Sequence, residues 1–190
     1  MPDVARRSER SRLAILTAAR DLLTEAGYAE LTIEAIAARA GVGKQTIYRW
    51  WSGKGAVILD ALVETAGEVT LPDTGDLRAD LRSVLRATVA ELADPALSAT
   101  TRALTIETLG NDTLAVQVRD RLLRPQMDAV KERLRAAQTA GQVRDDVDLD
   151  HAVELLIGPP YHRWMLRTGP LTDSYADGIV EHALAGLAPR

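Results

Sequence analysis

The sequence predicts an all-α protein in two parts, a three-helix N-terminal head carrying a helix-turn-helix and a larger C-terminal helical bundle. Three observations point there. Apolar residues recur at helical spacing through most of the chain, and no run alternates with the period of two that a strand requires. Ala37, Gly41 and Ile47 stand at relative positions 0, 4 and 10. At that spacing a small residue lets two helices approach, a glycine turns the chain, and an aliphatic residue locks the second helix onto the first. Charge is also uneven: the 190 residues carry −4 in all, +3 over residues 1–55 and −7 over residues 56–190. A basic head on an acidic body suits an anionic partner at one end.

Taken in order, residues 1–12 form an arm with Arg6, Arg7, Arg10 and Arg12. It either reaches phosphate or a minor groove, or is a solvated end. Ile15, Ala19, Leu22 and Ala26 then repeat at helical spacing up to Gly27, which ends the first helix. Thr32 is placed as an N-cap, and Leu31 before it staples to Ile36. A helix therefore starts at Ile33 and stops at Gly41, where a left-handed residue carries no Cβ clash. After Gly41-Val42-Gly43 a second helix of about two turns has Ile47 and Trp51 as its inner pair. Lys44, Gln45, Thr46, Tyr48 and Arg49 are left pointing outward, and such donors with an aromatic ring suit base edges and phosphates in a major groove. Lys54 lies at the N-terminus of a fourth helix running from Gly53 to about Val69, well placed for a phosphate.

Residues 10–60 resemble the DNA-binding domain of the TetR family of bacterial transcriptional regulators, whose recurring pattern is TIxxIAxxAGVxxxTxYxxxxxK. Thr32, Ile33, Ile36, Ala37, Ala40, Gly41, Val42, Thr46, Tyr48 and Lys54 match it. The resemblance implies phosphate contacts from Thr32, Tyr48 and Lys54, and base contacts from Lys44, Gln45, Thr46 and Arg49. The chain departs from the pattern at Gly43, where serine is common, at Trp51, where phenylalanine is common, and at Gly55, where an acidic residue often begins the fourth helix.

TLPDTGD, residues 70–76, is a turn-forming cluster and marks a boundary between a domain of residues 1–69 and one of residues 76–190. Leu77, Leu81, Val84, Leu85, Thr88, Val89 and Leu92 form the next stripe, and Asp94-Pro95 opens a helix that ends at Gly110. Leu123, Met127, Val130, Leu134 and Ala137 carry a long helix to Gly141, with Pro125 expected to kink or break it near its middle. Another helix follows the loop of residues 142–150, and Pro159-Pro160 should break or kink it, with a restart near Tyr161. The last helix begins after Thr172 and Asp173 and carries Tyr175, Ile179, Val180, Ala183, Leu184 and Leu187 on one stripe.

That stripe suits either burial within one chain or packing against a second copy. The resemblance implies the second, since the last two helices of such proteins form a four-helix bundle across a homodimer that meets a palindromic operator in double-stranded DNA. Tyr161, His162 and Trp164 cluster after the prolines, and with Thr105, Glu107 and Met127 they either line a small-molecule effector pocket or form a buried aromatic cluster. The resemblance implies a repressor released by an effector. The alternative is a helical protein-interaction or ligand-binding module without DNA binding. An enzyme is not expected. His151, His162 and His182 have no metal-ligand spacing, cysteine is absent, no Gly-rich loop follows a strand, and no cofactor is implied. The N-terminus has no charge-free apolar run of signal or membrane length, so no membrane association and a cytoplasmic location are expected.

Overall fold

The computed structural model describes the backbone of residues 2–66 and 70–189 and the side chains of residues 8–64 and 70–189. The expected arginines Arg6 and Arg7, and the end of the fourth helix near Val69, lie outside these. Among the described residues the regular structure is helical throughout, as the periodicity predicts. The helices are α1 (Pro2–Glu30), α2 (Ile33–Ala40), α3 (Lys44–Tyr48), α4 (Lys54–Ala66), α5 (Leu77–Ala93), α6 (Pro95–Leu109), α7 (Asp112–Val118), α8 (Arg124–Thr139), α9 (Leu149–Leu166) and α10 (Asp173–Leu187). A π-helical turn, Arg119–Leu123, joins α7 to α8.

The chain forms two compact units. One holds α1–α4 together with Ala99–Leu122, and the other holds the described residues to Ser98 after α4 with everything from Leu123 onward. This differs from a simple division at residues 70–76, because most of α6 and all of α7 pack with the N-terminal helices. Leu104, Leu114 and Val118 share one core with Ile15, Leu16, Ile36, Ile47 and Ile58. The helix α1 has non-helical backbone at Gly27 (φ 77, ψ 172), so the chain does turn at the expected glycine before Tyr28 continues. Its inner face is broader than the expected stripe. Leu16 and Ala18 are buried and Ala26 is exposed. Arg12 is not a free arm residue but pairs with Glu9 at 2.9 Å and with Glu64 of α4 at 3.1 Å.

The second unit is built on α5, which packs against α10, α9 and α8. Asp76 caps α5 through the Ala79 N–H, Asp148 caps α9, and Thr172 caps α10 through the Tyr175 N–H. Leu81, Leu134 and Leu156 are fully buried in its core, each worth roughly 1.5–3 kcal/mol relative to exposure. Two expectations fail here. Pro125 falls in the first turn of α8, directly after the π-helical turn, so the irregularity comes at the start of this helix and not near its middle. Pro159 and Pro160 lie inside a continuous α9. Two interior prolines oppose a helix by about 3 kcal/mol each. Opposing that, Leu156, Pro160 and Trp164 are buried, and Tyr175 Oη donates to the Pro159 carbonyl at 3.0 Å, so packing overrides the break.

A buried ion pair fixes the segment before α5. Arg133 Nε donates to Asp80 Oδ2 at 2.9 Å, while Thr74 donates to the same carboxylate from its N–H at 3.1 Å and its hydroxyl at 2.7 Å. Burial alone pushes the Asp80 carboxyl up, but the hydrogen bonds from Thr74 and Arg133 together outweigh it and hold the pKa below its ordinary value. Asp80→Ala should lower stability by about 3–5 kcal/mol, because it strands the buried Arg133. The pH dependence has a definite sign. With a depressed folded-state pKa, the contribution is present above pH about 4 and fades as pH falls through the folded value, so urea midpoints of wild type and Asp80→Ala should converge in acid.

Candidate nucleic-acid interface

The geometry of α2 and α3 follows from local chemistry. Thr32 Oγ1 accepts the Ala35 N–H at 3.1 Å, and Gly41 is left-handed (φ 66, ψ 33), which lets Val42 N–H return to the Ala37 carbonyl at 3.0 Å. Gly43 supplies no side-chain cap, and α3 is five residues long, shorter than the two turns expected. Ile47 is fully buried and Trp51 is 5% exposed, so both inner positions are as predicted.

Lys44, Gln45, Tyr48 and Arg49 are exposed on the opposite side, and Thr46 is half-buried. Thr32 spends an oxygen lone pair on its cap but keeps its own proton to donate. Lys44 Nζ is bound to Glu34 at 3.0 Å, and Arg39 to Glu25 at 2.7 Å, so neighbouring carboxylates hold two of the head's cations. The hydrogen bond from Lys44 draws the Glu34 carboxyl below its ordinary value, and Glu34 in turn raises Lys44. Trp50, which the motif does not single out, is 43% exposed, its ring centroid 6.1 Å from that of Trp51. A signal was available, since of two consecutive tryptophans at a helix end only one can face the core.

Lys54 is placed at the start of α4 as expected, but its ammonium is engaged. Nζ donates to the carbonyls of Tyr28 and Leu31, both at 3.1 Å, and lies 4.6 Å from the Tyr28 ring centroid. It fastens the corner between α1 and α2 and has one N–H left over. Tyr28 Oη donates in turn to Glu107 of α6. Burial, and then that bond, hold the phenol well above its ordinary pKa.

The six residues expected around a pocket are not brought together within one unit. Thr105 and Glu107 belong to the first, where Thr105 Oγ1 donates to the Thr101 carbonyl at 2.8 Å. Met127, Tyr161, His162 and Trp164 belong to the second. Trp164 is buried and its Nε1 donates to Ser98 Oγ at 2.6 Å, with the Tyr161 ring centroid 5.1 Å away, while His162 is exposed.

A capped helix, a glycine turn and a short helix with a polar outer face, set on an all-helical body, define a helix-turn-helix DNA-binding protein. Comparison with known proteins agrees. The model of the bacterial regulatory proteins of the tetR family matches residues 15–61, and that of the tetracyclin repressor-like C-terminal domain matches residues 71–183. YdeS of Bacillus subtilis (strain 168), an uncharacterised HTH-type transcriptional regulator, is 34% identical over 95% of this chain and 91% of its own. The DNA-binding transcriptional repressor TetR of Mycobacteroides abscessus is 31% identical over 95% of each chain. The crystal structure of the TetR family transcription regulator SCO0332 superposes with a TM-score of 0.80 at 34% identity, covering 94% of this chain and 99% of that one. The chain belongs to the TetR family of bacterial transcriptional regulators. Among the described residues no helix is long and apolar enough to cross a membrane.

Two outcomes test the placement of these cations. Lys54→Met should lower thermal stability as well as DNA affinity, by about 1–3 kcal/mol of folding free energy, since two carbonyls lose a charged donor; unchanged melting would leave Lys54 as a phosphate contact alone. Glu34→Gln releases Lys44 and removes a like charge from the surface, so binding to any duplex should tighten about two- to fivefold at low salt and the gain should vanish at high salt.

Proposed function

We propose that the protein is a transcriptional repressor that binds a palindromic operator as a homodimer and is released by a small-molecule effector. The observation that carries the reading is the outward face of α3: Gln45, Tyr48 and Arg49 stand exposed together while Ile47 and Trp51 anchor the same short helix from behind. In this reading Lys44, Gln45, Thr46 and Arg49 address base edges, and Thr32, Tyr48 and the remaining N–H of Lys54 hold phosphates. The repressing direction is supported by the Mycobacteroides relative, a repressor similar along nearly its whole length. DNA binding is assigned to the unit of α1–α4, and dimerisation and effector sensing to the unit of α5 and α8–α10. Sensing is supported by the size of that second unit, which exceeds what presenting a recognition helix requires. The effector set narrows to Met127, Tyr161, His162 and Trp164, because Thr105 and Glu107 are held within the DNA-binding unit.

The expected dimer stripe needs revision. Ile179, Val180, Ala183 and Leu187 are buried within the single chain, and Leu184 packs against the same core. The face available to a second copy is the outer side of α9 and α10. Leu155 and Leu166 are 52% and 61% exposed there, and a Cβ at Gly158, Gly178 or Gly186 would meet open space, which favours close helix approach.

Selection of duplexes from a randomised pool by the wild-type protein tests the reading. It should return an inverted repeat whose half-site centres lie about 34–36 Å, or a multiple, apart. A sequence without two-fold symmetry would contradict the homodimer. Leu155→Glu should give a folded monomer with much weakened operator binding, whereas Leu184→Glu should lower the melting temperature of the chain itself. If Leu155→Glu sediments as a dimer, α9 is not the interface.

A further inference from the structure

The short recognition helix is held from behind by one carboxylate. Trp51 follows Ile47 by four residues, and its buried indole Nε1 donates to Asp60 Oδ2 of α4 at 2.8 Å. The second oxygen of that carboxylate, Oδ1, accepts from Arg121 Nη1 at 2.6 Å. The Asp60 side chain is 18% exposed and Arg121 44% exposed, so the carboxylate is largely shielded while the guanidinium reaches solvent. Both bonds are charge-assisted, the strong class of hydrogen bond, and they use opposite oxygens of one rigid group. Neither partner can move far without rotating the carboxylate against the other.

Arg121 sits in the π-helical turn Arg119–Leu123, and it is within this turn, after Leu122, that the chain leaves the DNA-binding unit. A π-helical turn is a rare and less favoured geometry, stable where tertiary contacts hold it and often found at functional positions. The other end of the link depends on a single atom. A phenylalanine at position 51 would fill the same core space but offer no N–H, so the connection exists because this chain places an indole there.

We propose that Asp60 is a positioning residue for DNA recognition: through Trp51 and Arg121 it couples the orientation of α3 to the conformation of the π-helical turn. A change in that turn is then felt at Gln45, Tyr48 and Arg49 without any change in the residues that face DNA. The proposal rests on the reading of α3 as the helix that reads bases.

The test uses the full chain and a duplex enriched by the wild type from a randomised pool. Trp51→Phe removes the donor, and Arg121→Gln removes the charge on the other side. Each should weaken binding to the enriched duplex about three- to tenfold with random-sequence DNA affinity unchanged, and Arg121→Gln should leave the melting temperature unchanged. The double variant should lose no more than the weaker single, because both act through one carboxylate. Additive losses would overturn the coupling, and so would unchanged affinity. Equal weakening on random DNA in Arg121→Gln would make that residue a phosphate contact instead. Should Trp51→Phe melt early, the decision passes to the Trp51 indole N–H resonance in wild type and Arg121→Gln without DNA. It should shift if Asp60 joins the two, and an unmoved resonance rejects the proposal. A wild type that enriches no sequence sinks the DNA-reading function itself, a result separate from any of these.

Discussion

A helix of five residues has no stability of its own. Nucleation fixes several residues for a first hydrogen bond, and isolated helices become marginal even at twice that length. In α3 the difficulty is compounded by Gly43, which offers no side-chain cap. What holds the helix is burial of Ile47 and Trp51 against a core that includes Leu31, Ile36 and Val57. The recognition surface is therefore a property of the residues behind it, and the exposed side chains inherit an orientation they do not determine. The same dependence explains why a left-handed Gly41 matters: it directs the chain so that α3 packs back on α2 and Ile47 joins the core that holds Ala37.

The electrostatics of the head are less open than its net charge suggests. Lys44 is paired with Glu34, Arg39 with Glu25 and Arg12 with Glu64, while Lys54 is spent on two carbonyls. Among the described residues Arg10 and Arg49 carry no such bond. Exposed pairs of this kind are individually weak because water and salt screen them, so a phosphate can displace the carboxylate at little cost. Lys54 is a different case, because its acceptors are backbone groups at a half-buried corner and exchanging them would loosen the entry to α2. The paired surface ions tune affinity and salt dependence, and the half-buried lysine secures geometry.

Features encoded by neighbouring residues were legible in the sequence. The Thr32 cap, the Gly41 turn and the division of residues 44–51 into Ile47 and Trp51 on one side and Lys44, Gln45, Tyr48 and Arg49 on the other all follow from spacings of a few positions. Features set by distant packing were not. Nothing near Pro159 announces that Tyr175 will meet its carbonyl or that Trp164 will be buried, so local rules read a break where the helix continues. The α10 stripe has the pattern of an interface and of a core alike, and the partner that decides between them is α5, about a hundred residues earlier. The six pocket residues divide between the two units for a related reason: aromatic and polar residues on α6, α8 and α9 carry no mark of which unit will claim each helix.

Glu107 shows how a departure from a family pattern can be compensated across the chain. The pattern often places an acid at position 55, where a negative charge favours the first turn of a helix. Here position 55 is glycine, and a Cβ built there would lie 2.6 Å from Glu107 Oε1 and 2.9 Å from Leu114 Cδ2. The missing side chain is what admits α6 and α7 to the start of α4, and the acid arrives with them on Glu107. That carboxylate also accepts the Tyr28 hydroxyl, and Tyr28 lies under the Lys54 ammonium that holds Leu31, the residue before the Thr32 cap. One glycine thus permits a chain of contacts from α6 to Leu31, just before the cap of α2. The segment Ala99–Leu122 joins the DNA-binding unit with Glu107 and Leu114 in the space that Gly55 leaves open and with Leu104 and Val118 in the shared core.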